Sequence, residues 1–118
     1  MAAPNIVNVA NITAKTAAST LSTTMANVII NLASSSTVVK INDVILTNYG
    51  SSNIAANVVI NRSSTNYWIG ANIVVPGYST LVLIGKDSFL YLEEGDLLQA
   101  NTASNNSMTC LSAYEIIS

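Results

Sequence analysis

The chain has 118 residues, half of them hydrophobic, with four basic and six acidic side chains, no histidine and one cysteine. That length suits one domain, and the pairing of high hydrophobicity with 8% charge excludes the composition of a disordered chain. Without histidine, Ser-His-Asp catalysis is impossible, and most metal centres and acid–base machines lack their parts.

Asn, Ser and Thr occupy 15, 15 and 11 positions, so the polar component is small and neutral. Val, Ile and Thr fill 35 positions, whereas Glu, Lys, Arg and Gln fill eight. This balance removes most straight-chain helix formers and favours a pleated, half-buried surface. The cations Lys15, Lys40, Arg62 and Lys86 stand at least about twenty residues apart. They build no phosphate-neutralising stripe, so no nucleic acid is expected as a partner. Polar residues interrupt every apolar run well short of the roughly 18–20 residues of a bilayer span, and the first residues lack a basic leader. No membrane segment and no export leader are expected.

In chain order, Ile6 to Thr16 reads as a strand. Residues 17–24 carry helical spacing through Ala17, Leu21, Met25 and Val28, but β-branched density favours an extended connection. Asn27 to Leu32 is the next strand, then a turn at Ser34–Ser36. Thr37 to Tyr49 is the clearest segment: Val39, Ile41, Asp43 and Ile45 share one face, and Val38, Lys40, Asn42, Val44 and Leu46 the other. Apolar residues on both faces predict a strand covered on each side over part of its length. After a turn at Gly50–Asn53, Ile54 to Arg62 is predicted to return as a hairpin partner.

A turn at Ser63–Asn66 leads into Tyr67–Ile69 and then Asn72–Val75. Pro76-Gly77 is the strongest turn signal, with glycine expected to take positive φ. Further strands are expected at Ser79–Gly85, Phe89–Leu92, Leu97–Ala103 and Met108–Ile117, separated by Glu93-Glu94-Gly95-Asp96 and Asn105-Asn106-Ser107. Eight to ten short strands at roughly ten-residue spacing predict an all-β fold, an antiparallel β-sandwich of jelly-roll type, as one domain over residues 1–118.

Few residues offer chemistry. Cys110 lies in a stretch that reads as a buried strand, where cysteine behaves as a small hydrophobe. Glu93, Glu94 and Asp96 are three carboxylates on a turn; they read as a solvated loop rather than a Ca²⁺ site. No phosphate loop, Gly-x-Ser-x-Gly elbow or Cys-x-x-Cys pair occurs, so neither enzymatic activity nor a metal or other cofactor is expected. Tyr67, Trp68 and Tyr78 are candidates for an aromatic contact platform, weighed against Trp68 capping the core. Since strand neighbours point to opposite faces, Tyr67 and Trp68 cannot both be core.

The segments Met1–Val9, Asn61–Thr65, Val75–Gly77, Tyr91–Leu98 and Ser112–Ile116 together resemble small virion structural proteins of tailed phages, especially those of marine cyanobacteria. The resemblance implies a place in the virion, assembly in the host cytoplasm and no catalytic residues. It makes a capsid decoration or cement protein the leading expectation, with the major capsid protein or other virion proteins as partners. A homo-oligomer is expected, a trimer being one arrangement. A tail, neck or fibre-attachment adaptor is the alternative, followed by a carbohydrate-binding module using Tyr67, Trp68 or Tyr78. Edge strands are the expected contact elements, because their unpaired backbone groups extend a neighbouring sheet. The candidates are Ile6 to Thr13, with Ile6, Val7 and Val9, and Tyr114 to Ile117, with Tyr114 and Ile116.

Overall fold

The runs of β-branched residues become ten strands in the computed structural model, which describes residues 9–118. They are β1 (Ile12–Thr20), β2 (Ala26–Ile30), β3 (Val38–Ile41), β4 (Val44–Asn48) and β5 (Ile54–Arg62). Then follow β6 (Thr65–Val75), β7 (Ser79–Ile84), β8 (Leu90–Leu92), β9 (Leu97–Thr102) and β10 (Met108–Ile117). One sheet runs β7–β4–β10–β3–β8, with β1 on the free side of β10; the other runs β2–β9–β5–β6. Every pairing is antiparallel.

The two sheets face each other across one core. Val39, Ile41, Val44, Leu46, Met108 and Cys110 of the first meet Ile29, Ile54, Ala56, Val58, Leu98 and Ala100 of the second. The fold is therefore an antiparallel β-sandwich. The stretch from Ala17 to Thr20 continues β1 as extended chain, paired residue for residue with β10 from Ser112 to Thr109.

Strands β3 and β4 lie end to end along β10 as one bent strand. Four steps from Ile41 to Ile45 face three steps from Tyr114 to Leu111, so one extra residue is accommodated at Asn42–Asp43. Side chains pin this bulge. The Asp43 carboxylate accepts the Ala113 N–H at 2.9 Å, and the buried Ser112 hydroxyl donates to the Asp43 carbonyl at 2.7 Å. The bulge also explains why Thr37–Tyr49 carries apolar residues in both phases. Val39 and Ile41 before it, and Val44 and Leu46 after it, all enter the same core, while Ile45 lies on the outer face. The change of phase accounts for Val44 and Leu46, while β3 is covered on both faces at Val38 and Val39, Val38 being buried outside the core cluster.

The segment Ile54–Arg62 does not return as a hairpin partner of β4. It crosses to the second sheet and pairs with β6 and β9, because its apolar row is buried by facing β4 rather than lying beside it. Buried Asn48 holds the crossover: its amide donates to the Ser52 and Val75 carbonyls at 2.7 and 2.9 Å and accepts the Gly50 N–H at 3.0 Å. The true hairpin is β5–β6, closed by Ser63 and Ser64 at φ 52° and 62°, the two-residue turn that matches strand twist. The two expected strands within 67–75 are one, β6, with its register shifted twice and Asn72 at φ 51°.

Because Ala113 N–H has the Asp43 carboxylate as its acceptor, Asp43→Ala is expected to cost about 1–3 kcal/mol in urea unfolding. Asp43→Asn, which keeps an oxygen acceptor, recovers most of that loss.

Candidate interaction surface

With the core filled by aliphatic side chains, the aromatic residues lie largely outside it. Trp68 is 56% exposed and Tyr67 is 59% exposed, so the indole does not cap the core as its composition suggested. The reason is position: both sit on β6, an edge strand, near the β5–β6 turn. Trp68 is on the outer face, opposite Val59, which is fully buried although it lies outside the core cluster. Around them run amide pairs, Asn61 to Asn66 at 2.7 Å, Gln99 to Asn27 at 2.8 Å and Asn57 to Asn101 at 2.9 Å. Among the described residues this face carries hydrogen-bonded amides, one indole and no ion pair.

Tyr67 points to the other side of β6, where with Ile60 and Arg62 it lines a shallow hollow of about 290 Å³. Tyr78 lies beyond the far end of β6. At about 3.3 Å per residue, Trp68 and Val75 alone are roughly 23 Å apart. The three aromatics therefore form separate contact points, not one platform.

Tyr78 is 76% exposed and adopts φ 56°, whereas Gly77 beside it has no positive φ. This reverses the expected assignment in Pro76-Gly77. The turn is docked on the preceding connection, with Tyr78 N–H donating to the Gly50 carbonyl at 2.9 Å. A Cβ on Gly77 would lie 2.3 Å from the Ser51 carbonyl oxygen, so glycine is required for close approach. The left-handed conformation falls to a tyrosine, which is unfavourable by about 1 kcal/mol or more.

The acidic turn is not simply solvated. Gly95 supplies positive φ, at 88°, but Asp96 is buried. Arg62 grips it with two parallel bonds, Nε to Oδ1 at 2.9 Å and an Nη nitrogen to Oδ2 at 2.6 Å. Oδ2 also accepts the Glu93 N–H at 2.8 Å, and the same guanidinium nitrogen meets Glu93 Oε2 at 2.8 Å. The hydrogen bond to Asp96, opposed in part by desolvation, holds the Arg62 guanidinium still more firmly in its charged form. Next to this clamp, buried Asn31 donates to the Thr37 and Leu92 carbonyls at 3.1 and 3.0 Å. These contacts lock one end of the sandwich. The Arg62–Asp96 pair was missed because each residue is ordinary alone and they lie 34 positions apart.

A second exposed aromatic group lies on the outer face of the other sheet. Phe89 and Tyr91 meet edge to face at 5.6 Å, and Lys40 Nζ sits 4.6 Å from the Phe89 ring centre. Neither aromatic was singled out from the sequence.

Of the expected edge elements, Ile6 and Val7 lie outside the described residues, and half-buried Val9 precedes β1. The run Tyr114–Ile117 is not an edge. It belongs to β10, between β1 and β3, and Tyr114 and Ile116 pack against the core. The edge on that side is β1. Cys110 is buried in β10, and burial, with Asp43 adding to it, pushes its thiol up to about 12.

Comparison with known protein families gave no match, and comparison with curated proteins gave none of significance.

Tyr78→Gly is expected to raise stability by about 1 kcal/mol by relieving the left-handed residue, whereas Gly77→Ala lowers it; thermal melts compare the two. The Cys110 thiol holds its proton more tightly folded than unfolded, so its contribution is complete below about pH 9 and is lost as pH rises towards about 12. The alkaline unfolding midpoint of Cys110→Ala, measured against wild type, is therefore expected to shift upwards relative to the difference in stability at pH 7.

Proposed function

We propose that this protein is a non-enzymatic structural component of a phage virion, working as a capsid decoration or cement protein through protein–protein contacts. The observation that carries the reading is Tyr78, a large aromatic held 76% exposed in a left-handed conformation at a turn tip. Strain of that kind is retained where the strained side chain has a task. Trp68, Tyr67, Phe89, Val82 and Leu32 add further exposed apolar surface to a chain with only 8% charge.

The strand orders support a jelly-roll form of the sandwich. With β3 and β4 taken as one bulged strand, and β7 and β8 as another broken at Lys86–Ser88, each sheet has four strands. Their orders become β1, β10, β3/β4, β8/β7 and β2, β9, β5, β6, as in two interleaved Greek keys, an architecture used by capsid and lectin domains. Such a domain strengthens a shell by burying uncharged area at joints between lattice subunits, where isolated charges would be costly to desolvate. The resemblance of the sequence to small virion proteins of tailed phages points the same way.

Quantitative mass spectrometry of purified particles tests this reading. A decoration protein is expected at a copy number comparable to that of the major capsid protein, whereas a ring of about six or twelve copies identifies a tail or neck component. In the same particles Tyr78→Gly is expected to reduce occupancy without loss of folding. Unchanged occupancy removes Tyr78 from the contact.

A further inference from the structure

Sheet edges attract other strands unless something blunts them, and three of the four edges among the described residues are blunted. β2 is five residues long and bulged between Asn27 and Ile29. β6 shifts register twice, with Asn72 left-handed. The β7/β8 edge is interrupted by a 3-10 turn at Lys86–Ser88 and carries Lys86 and Asp87. β1 differs: it pairs with β10 over nine consecutive residues without a shift and contains no proline. It is also exposed along most of both faces.

The hydrogen bonds give its phase. Asn11 and Ser118 exchange both backbone bonds at 2.9 Å, and Leu21 N–H donates to the Met108 carbonyl. Odd-numbered residues of β1 therefore direct their backbone groups towards β10. The N–H and C=O of Ile12, Ala14, Thr16, Ala18 and Thr20 point away from it, along the free edge. The side chains of those five residues are uncharged and, Ile12 apart, small.

We propose that β1 is a self-association edge, pairing antiparallel with β1 of a second copy about a two-fold axis at Thr16. Only this two-fold register matches every outward residue with another: Ile12 with Thr20, Ala14 with Ala18, and Thr16 with itself. A two-fold contact is self-complementary by construction, so one strand suffices. Lys15, the only charge on β1, lies opposite Ala17 of the other copy, with the second Lys15 at the diagonal position roughly 7–8 Å away, where both side chains are exposed and splay into solvent. The β1-containing sheet becomes continuous across the two copies, and the Trp68 face stays free for other contacts. The inference does not rest on a place in the virion and is tested on the purified chain.

Sedimentation of the full chain is expected to show a concentration-dependent dimer; a monomer throughout the millimolar range overturns the proposal. Thr16→Pro removes an N–H that β10 does not use, so the fold is retained while both bonds of the central pair are lost. The dimer is expected to weaken by at least roughly 30-fold, two net bonds at about 1 kcal/mol each, and an unweakened dimer overturns the proposal. A second variant is independent of any folding defect from proline. Thr16→Cys places two thiols across the axis at a Cα separation of about 5.5 Å, within disulfide reach, so mild oxidation is expected to cross-link it. Ala14→Cys separates its thiols by roughly 13 Å or more and is expected to stay uncross-linked. Cross-linking of Ala14→Cys, or failure of Thr16→Cys to cross-link, overturns the register.

Discussion

The bulge at Asn42–Asp43 is the constraint on which the sandwich depends. β10 is the longest strand of its sheet, and the whole length of its partner, β3 and β4 together, must present one apolar face to the core. A regular strand with this sequence would turn Val44 and Leu46 outwards. One extra residue restores the phase, and a carboxylate, a hydroxyl and two backbone groups hold it in place. Fixing β10 in this way also fixes β1 on its other side, because the two share nine residues of uninterrupted register.

Polar side chains elsewhere work on the same principle, each tying together segments distant in sequence. Asn48 binds the carbonyls of Ser52 and Val75 at the crossover between sheets. Asn31 and Asp96 close the opposite side of the molecule through Leu92, Thr37 and Arg62. All three are buried with satisfied partners, so they act as fixed joints in an otherwise aliphatic core. The high asparagine and serine content thus has two distinct uses. Some of it staples loops inside the fold, and Asn27, Asn57, Asn61, Asn66 and Asn101 help cover the outer face of the β2–β9–β5–β6 sheet with paired amides.

The surface is where local stability gives way. Tyr78 is left-handed beside a glycine committed to packing, and Trp68 and Phe89 stand in solvent. Three sheet edges are bulged, short or interrupted, while β1 is regular and open. In a chain with so few charges, these exposed elements are the surfaces on which the proposed contacts rest.

Much of the fold was legible in the sequence. Strand positions followed from β-branched runs and turn residues, and β10 matched its expected limits, Met108–Ile117. What was not legible were relations between distant residues. Whether Ile54–Arg62 lies beside β4 or faces it, and whether Tyr114–Ile117 is an edge, depends on which strands pair, and local periodicity contains no such information. The exposure of Trp68 depends likewise on β6 being an edge strand. The sequence by itself determined the class, an all-β fold without histidine chemistry, because composition and short-range pattern set strand propensity and the available functional groups. Only the tertiary structure decided the phase of β3 and β4, the Arg62–Asp96 clamp, the glycine-to-tyrosine exchange in the Pro76 turn and the open edge at β1. Each of these arises from contacts across many residues, where packing overrides local preference.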